Sequence, residues 1–290
     1  MSSLQPITTI TSAREASTAA RKRGSLALVP TMGALHEGHL SLVRAARRMC
    51  DSVAVSIFVN PLQFGPTEDL ARYPRTLAQD IAMLERENVD FVFAPTPEEI
   101  YPQGTSATFV EVGGVSDRLD GKTRPGHFRG VATVVAKLFN ILSPDVAFFG
   151  QKDAAQVAVL KAMVRDLNFP VRLEICPTVR EADGLAMSSR NRYLSEKERE
   201  QALVLHRSLE AAAGLTGLNG RDAATVQLRM LQTLEQEPAV VTEYAEVVDA
   251  ETLLPIDNLS GGALLAVAAR VGQTRLIDNI VLPANSDGAR

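Results

Sequence analysis

Only two cysteines occur in the 290 residues, Cys50 and Cys176, and neither has a second thiol or a histidine at metal-ligand spacing. That excludes a disulfide framework and a zinc site, and both thiols are expected in a core. No apolar run approaches the roughly 18 residues that cross a bilayer, so no membrane role is expected. The leading MSSLQPITTITSAREAS has none of the charged start, apolar middle and small-residue cleavage site of a secretory signal, which makes the cytoplasm the expected compartment. Basic charge is not in excess either. Lys and Arg number 30 against 34 Asp and Glu, a net charge of −4, whereas a chain that grips nucleic acid through its phosphates normally shows a basic surplus. Nucleic acid is not an expected partner, and any cation that matters acts locally. Neither an internal repeat nor a low-complexity segment interrupts the chain.

What is present reads as a two-domain α/β protein. At about 150 residues per domain the length predicts two, and 46% hydrophobic with 22% charged residues is ordinary globular composition. Apolar, β-branched runs at 26–29, 53–59, 90–94, 145–149 and 171–175 alternate with helical periods at 41–49, 77–87, 131–142 and 154–167. Ser12 with Glu15 reads as a capping box that opens a helix over 12–23, with Gly24 at its C-terminal cap. Strands that are apolar on both faces and alternate with helices predict a Rossmann-like parallel sheet with helices on both sides. After about residue 182 the pattern changes. Ser195 with Glu198 caps a helix to about Ala213, LTGLNGRD is a linker-like turn, and 222–236 is helical. Strand-like runs at 240–250, 263–271 and 274–282 close the chain, the last two joined by Gly272-Gln273, a hairpin signal. The expected division is a Rossmann-like domain over 1–182 and a smaller α+β domain with an antiparallel sheet over 183–290.

The most informative stretch is PTMGALHEGHL, residues 30–40, where the first apolar run enters a turn carrying His-x-Gly-His and then a helix. The free amides and positive dipole end of a helix's first turn suit an anion, so this arrangement handles phosphate. Gly33 and Gly38 let backbone come close to a ligand. His36 and His39 share one side of the first turn and can donate to phosphate oxygens, one of them carrying a proton. In parallel sheets ligands sit beyond the carboxyl ends of the strands, which gathers Thr31–His39, Asn60–Gly65, Gly150–Asp153 and Pro177–Arg180 at one edge. Lys152 is a point charge for phosphate, while Asp153 has helix capping as its plainer reading. Met187-Ser188-Ser189-Arg190 offers two hydroxyls and a guanidinium for a triphosphate, although such a tetrapeptide alone is usually a polar loop. The amides and aromatics of FVNPLQFG, residues 58–65, suit a small hydroxylated ligand, with Gln156 able to join Gln63 across the crevice.

PTMGALHEGH, SIFVNPLQFG, DLARYPRTL, RPGHFRGV, FFGQKD and MSSRN, in this order, together resemble the pantothenate synthetase (pantoate–beta-alanine ligase) family, within the His-x-Gly-His nucleotidyltransferase-like superfamily. The likeness runs from about residue 24 to 282, and Gln151 departs from the Glu common in that family. It implies an ATP-dependent ligation: pantoate attacks the α-phosphorus of ATP, pyrophosphate leaves, and the amine of beta-alanine attacks the pantoyl adenylate to give pantothenate and AMP. By the same likeness His39, His36, Lys152 and Arg190 are the catalytic set, His39 as proton donor. ATP contacts fall on Pro30, Thr31, Met32, Gly33, Ala34, Leu35, His36, Glu37, Gly38, His39, Gly150, Gln151, Lys152, Asp153, Val179, Met187, Ser188, Ser189 and Arg190. Gln63 and Gln156 hold pantoate, and Gln63 also borders beta-alanine. Mg²⁺ is expected with the triphosphate, bridging phosphate oxygens with few protein ligands, and a homodimer is implied. Asp80 reads as a solvated helical face, with an outer-sphere metal role as its alternative. Arg124, His127 and Arg129 line an entrance or a dimer contact, with a catalytic role as the lesser alternative.

Two other readings compete. A nucleotidyltransferase of the same superfamily acting on a phosphorylated substrate calls for Arg or Lys in the second-strand loop, where this chain has Asn60 and Gln63. A nucleotide-sensing module binds ATP without turnover, against which stand the histidine pair, Lys152 and Arg190. A tRNA-charging enzyme would share the turn but lacks here an anticodon domain and a basic surface.

Overall fold

The computed structural model describes residues 4–66, 68–104, 107–217 and 222–284. Its larger sheet has six parallel strands in the order β1-β4-β3-β2-β5-β6. In chain order the elements are β1 (Pro6–Ile7), α1 (Ile10–Arg21), β2 (Leu26–Thr31), α2 (Glu37–Met49), β3 (Ser52–Ile57), α3 (Leu77–Arg86), β4 (Phe91–Phe93), α4 (Pro97–Ile100), α5 (Asp120–Thr123), α6 (His127–Leu142), β5 (Val146–Gly150), α7 (Ala154–Asp166) and β6 (Arg172–Cys176). Alternation within the strands fixes the layers, because successive side chains leave a strand on opposite faces. Leu26 and Leu28 join the core built with α1, α6 and α7, whereas Ala27 and Val29 join the core built with α2 and α3. Cys50 and Cys176 are buried free thiols in that second core.

The chain runs from β2 to β3 and β4 on one side, then crosses to β5 on the other side of β2. A crevice opens where the strand order reverses, beyond the carboxyl ends of β2 and β5.

Beyond β6 come α8 (Glu196–Ala213), α9 (Ala223–Leu234) and an antiparallel sheet of β7 (Val240–Val248), β8 (Ala263–Val271) and β9 (Thr274–Leu282). Ser195 and Glu198 form the expected capping box, and β8 and β9 are joined at Gly272-Gln273. Of the expected linker-like turn, residues 218–221 lie outside the described residues. The helices of this part cover the sheet over a separate core that includes Leu205, Leu209, Met230 and Val267. Val248, Leu253, Leu264 and Ala266 instead join the core under α6 and α7, so the smaller sheet is packed onto the larger one.

Three expectations need correction. The first helix begins at Ile10, because Thr9 caps it by accepting from Ser12 N at 3.2 Å, and Ser12 is therefore not the cap. β6 is not apolar on both faces, because it is the sheet's edge and Arg172 is exposed. The run 240–250 stops as a strand at Val248, since the Asp249 carboxylate turns the chain by accepting from Glu251 N and Thr252 N.

Candidate active site

The turn after β2 is held from below. Gly33 and Ala34 both have positive φ, +80° and +51°, a conformation that strains the alanine. Asp80 of α3 fixes it, accepting from Ala34 N at 3.0 Å and Leu35 N at 2.9 Å, with Thr76 Oγ1 donating at 3.2 Å. Asp80 is only 1% exposed, so the solvated reading of it is wrong: it is a structural carboxylate whose partners lie 46 and 45 residues away in sequence. Ala34 and Leu35 turn their side chains into the core. Thr31 donates to the Ser56 carbonyl of β3 at 2.8 Å, and Glu37 faces outward to Arg44.

Two amides at the start of α2, those of His36 and Gly38, are capped by the imidazoles. His36 Nδ1 accepts from Gly38 N at 3.2 Å, and His39 Nδ1 accepts from His36 N at 3.3 Å. The two rings lie 4.1 Å apart. Because each Nδ1 accepts, each neutral ring carries its proton on Nε2, the donor it has left to offer. Burial, reinforced by the charges of Lys152 and Arg192, lowers the His36 pKa to about 4. Burial and then the neighbouring His36 lower that of His39 to about 3. Both are neutral donors near pH 7. Gly38 is required between them: a Cβ there would stand 2.9 Å from His36 Cε1.

Across the crevice, the turn Gly150–Asp153 opens α7. Lys152 Nζ lies 3.6 Å from Asp153 Oδ1, and Asp153 makes no side-chain cap, so the capping reading fails. Gln151 points to β9, donating through Nε2 to Asn279 Oδ1 at 3.3 Å. Asn279 Nδ2 donates in return to the carbonyls of Gln151 at 3.0 Å and Lys152 at 2.8 Å. Sequence reasoning missed Asn279. Its signal is the polar pair Asp278-Asn279 inside a strand pattern, both of which are buried.

Val179 and Met187 are neighbours, Met187 N donating to the Val179 carbonyl at 3.0 Å, and Met187 Cβ would lie 3.8 Å from a Cβ on Gly38. The other members of this motif are engaged internally. Ser188 Oγ accepts from Arg190 N at 3.2 Å, and the buried Ser189 hydroxyl pairs with Tyr73 Oη at 3.3 Å. Arg190 forks onto Asp69, Nε and Nη2 each 3.0 Å from a carboxylate oxygen. Arg192, which sequence reasoning passed over, is exposed and has no ion pair among the described residues.

Gln63 sits in the turn after β3, and its orientation is fixed by a chain of amides. Asn60 Nδ2 donates to the Gly130 carbonyl at 3.0 Å and to Gln63 Oε1 at 3.1 Å, while Tyr101 Oη donates to Asn60 Oδ1 at 2.9 Å. A carbonyl only accepts, so Asn60 has one orientation and Gln63 must turn Nε2 outward. That group reaches Met32 Sδ at 3.1 Å. A thioether is a weak acceptor, so the amide is easily recruited by a better one. Gln156, half-buried in the first turn of α7, makes no hydrogen bond to Gln63 among the described residues. Arg124 and His127 approach the Gln63 backbone, while Arg129 lies over the Phe109 ring at 4.9 Å. Among the described residues no group of three or more His, Cys, Asp or Glu could hold a metal, and no helix is long and apolar enough to cross a membrane.

The family model described as pantoate-beta-alanine ligase matches residues 5–281. The chain belongs to the pantoate–beta-alanine ligase family. A pantothenate synthetase of Koribacter versatilis is 59% identical over 272 residues, 93% of each chain. The crystal structure of pantothenate synthetase from Thermus thermophilus is 47% identical, with a TM-score of 0.90 over 96% of this chain and 99% of that one. A pantoate–beta-alanine ligase from Francisella tularensis, complexed with beta-gamma ATP and beta-alanine, is 33% identical with a TM-score of 0.79 over 96% of this chain and 97% of its own. Within the pantoate–beta-alanine ligase family, the likeness thus spans both sheets, not the histidine turn alone.

Proposed function

We propose that this chain condenses (R)-pantoate with beta-alanine in a reaction that cleaves ATP to AMP and pyrophosphate, through a pantoyl adenylate. The observation that supports the reading most is the contact of Gln63 Nε2 with Met32 Sδ, 3.1 Å, which leaves an amide suited to an acid directly beside the histidine turn. A competing phosphorylated acid loses support, because Arg124, the cation near that turn, is already neutralised by Glu68 at 2.5 Å.

In the first step a pantoate carboxylate oxygen bonds to the α-phosphorus and the bond to the β-phosphate oxygen breaks. Charge grows on phosphate oxygens, and preoriented donors stabilise it best where water is sparse. His36 and His39 donate through Nε2, and Lys152 adds a positive charge near both rings. Arg190 enters this set only by exchanging Asp69 for phosphate; Arg192, near His36, has no ion pair among the described residues. Gln63 trades its thioether for an oxygen of pantoate, with Gln156 as second ligand. In the second step the neutral amine of beta-alanine attacks the acyl carbon, the C–N bond forms, the acyl C–O bond breaks as AMP leaves, and the extra amine proton passes to water. ATP and beta-alanine as ligands draw support from the Francisella tularensis relative.

Mg²⁺ belongs to the proposal. The described residues offer no carboxylate cage, which fits an ion held chiefly by phosphates and water. Asp153, close enough to raise the proton affinity of both imidazoles, is the carboxylate that would face it, and the ion would neutralise phosphate charge. A nucleotide- and pantoate-binding domain over 1–182, a lid over 183–290, a homodimer and a cytoplasmic location complete the reading. The test is direct: purified protein with ATP, Mg²⁺, pantoate and beta-alanine forms AMP and pantothenate in equal amounts. His39→Ala lowers kcat at least ~10²-fold while the fold is retained. Absence of both products in the wild type ends the reading.

A further inference from the structure

We propose that Arg124 and His127 are positioning residues that hold Gln63 in place and thereby set the affinity for the acid substrate, an inference that rests on the function proposed above. The RPGHFRGV segment touches neither the histidine turn nor Gly150–Asp153 through any hydrogen bond among the described residues. Two of its side chains converge on one atom elsewhere: the backbone carbonyl of Gln63 accepts from His127 Nδ1 at 2.8 Å and from Arg124 Nη2 at 3.3 Å.

The protonation pattern follows from the donors. Arg124 Nη1 lies 2.9 Å from His127 Nε2, and a guanidinium only donates. Nε2 therefore carries the lone pair, and Nδ1 carries the proton it gives to Gln63. Burial, with the Arg124 charge behind it, lowers the His127 pKa to about 4, which keeps the ring in this neutral form near pH 7. Glu68 takes the rest of the guanidinium fork, accepting from Nε at 2.7 Å and Nη2 at 2.5 Å. The charge of Arg124 is balanced and its plane is fixed, so it acts on the turn and not on a ligand.

Packing explains why hydrogen bonds are used here. α6 presses so close to the turn that a Cβ on Gly130 would stand 2.3 Å from the Leu62 carbonyl oxygen. Beside this contact lies a cavity of about 620 Å³ whose lining includes Gln63, Phe64, Arg124 and His127. Open space there cannot back the turn, and the two donors do. Released from them, the Gln63 carbonyl would swing toward the cavity and carry its side chain away from Met32.

Steady-state kinetics test this with each substrate varied in turn. For His127→Ala, the KM for pantoate rises roughly tenfold, the scale of one lost hydrogen bond, while the KM for ATP stays within twofold. His127→Asn restores most of the difference, because its Nδ2 can stand in for Nδ1–H, and His127→Gln does not. Arg124→Lys, which keeps the charge but not the fork, gives an intermediate rise and serves if the alanine variant fails to fold. Equal changes in both KM values, or an asparagine no better than alanine, overturns the positioning role. A wild type that makes no pantothenate in the same assay overturns the function and leaves the geometry of the turn untouched.

Discussion

At the scale of single residues, the histidine pair is distinguished by what it lacks, which is charge. His36 and His39 titrate near pH 4 and 3 in the folded chain, while an unfolded histidine titrates near 6.5. Between those values the unfolded chain takes up protons that the folded chain refuses, so stability rises with pH there. Above about pH 6.5 the pair contributes nothing to the slope, and below about pH 3 both states are protonated. The expected outcome is a urea midpoint that falls as pH is lowered from 7 to 5, with a shallower fall in the double variant His36→Gln, His39→Gln. An identical slope in the variant would mean that the folded rings accept protons near neutrality, contrary to their burial. The residue scale was partly legible. His-x-Gly-His announced itself by its neighbours in sequence, including the glycine that leaves room for the His36 ring. What spacing could not give was the tautomer, because that depends on which backbone amide each Nδ1 meets.

At the scale of elements, some local signals held, others such as the Ser12 and Asp153 caps did not, and remote ones were silent. Ser195 with Glu198 and Gly272-Gln273 act within a few residues, and both appear where expected. Gly150–Asp153 and the histidine turn could be gathered at one edge because a parallel sheet allows no other arrangement. Two-residue β1 carries too few side chains for any period, and it is defined only by pairing with β4. Asp80 was hidden for a related reason: a carboxylate in the first turn of a helix normally faces water, and its partners come from a different loop. It offsets the strain of Ala34 at φ +51°. Asp80→Asn replaces one acceptor oxygen with an NH₂ that must face a backbone N–H in either orientation. The expected cost is about 1–3 kcal/mol in chemical denaturation, with a rise in the KM for ATP as the histidine turn loosens. A stability loss below about 0.5 kcal/mol would show that the turn holds itself.

For the whole molecule, what matters is how the smaller sheet is fastened to the larger one. Arg180 forks onto the buried Asp278 at 2.6 and 2.9 Å, and Arg275 reaches Asp120 at 2.7 Å while Tyr244 Oη donates to the same carboxylate at 3.2 Å. Between these ties Asn279 holds the carbonyls of Gln151 and Lys152, so the turn that carries the candidate phosphate lysine is braced from a strand 127 residues away. Composition and periodicity reveal that two sheets exist, but not where one docks, because docking is decided by surfaces that no local pattern describes. Asn279→Ala leaves two carbonyls without their donor and Gln151 without its acceptor. The KM for ATP is expected to rise roughly tenfold, on the scale of the hydrogen bonds lost, with the KM for pantoate nearly unchanged. Gln151→Glu brings a carboxylate against Asn279 Oδ1, which cannot turn away without releasing both carbonyls, so a smaller shift in the same direction is expected. If both variants instead lower the melting temperature and alter the two KM values alike, the contact fastens the sheets together and does nothing particular for the nucleotide.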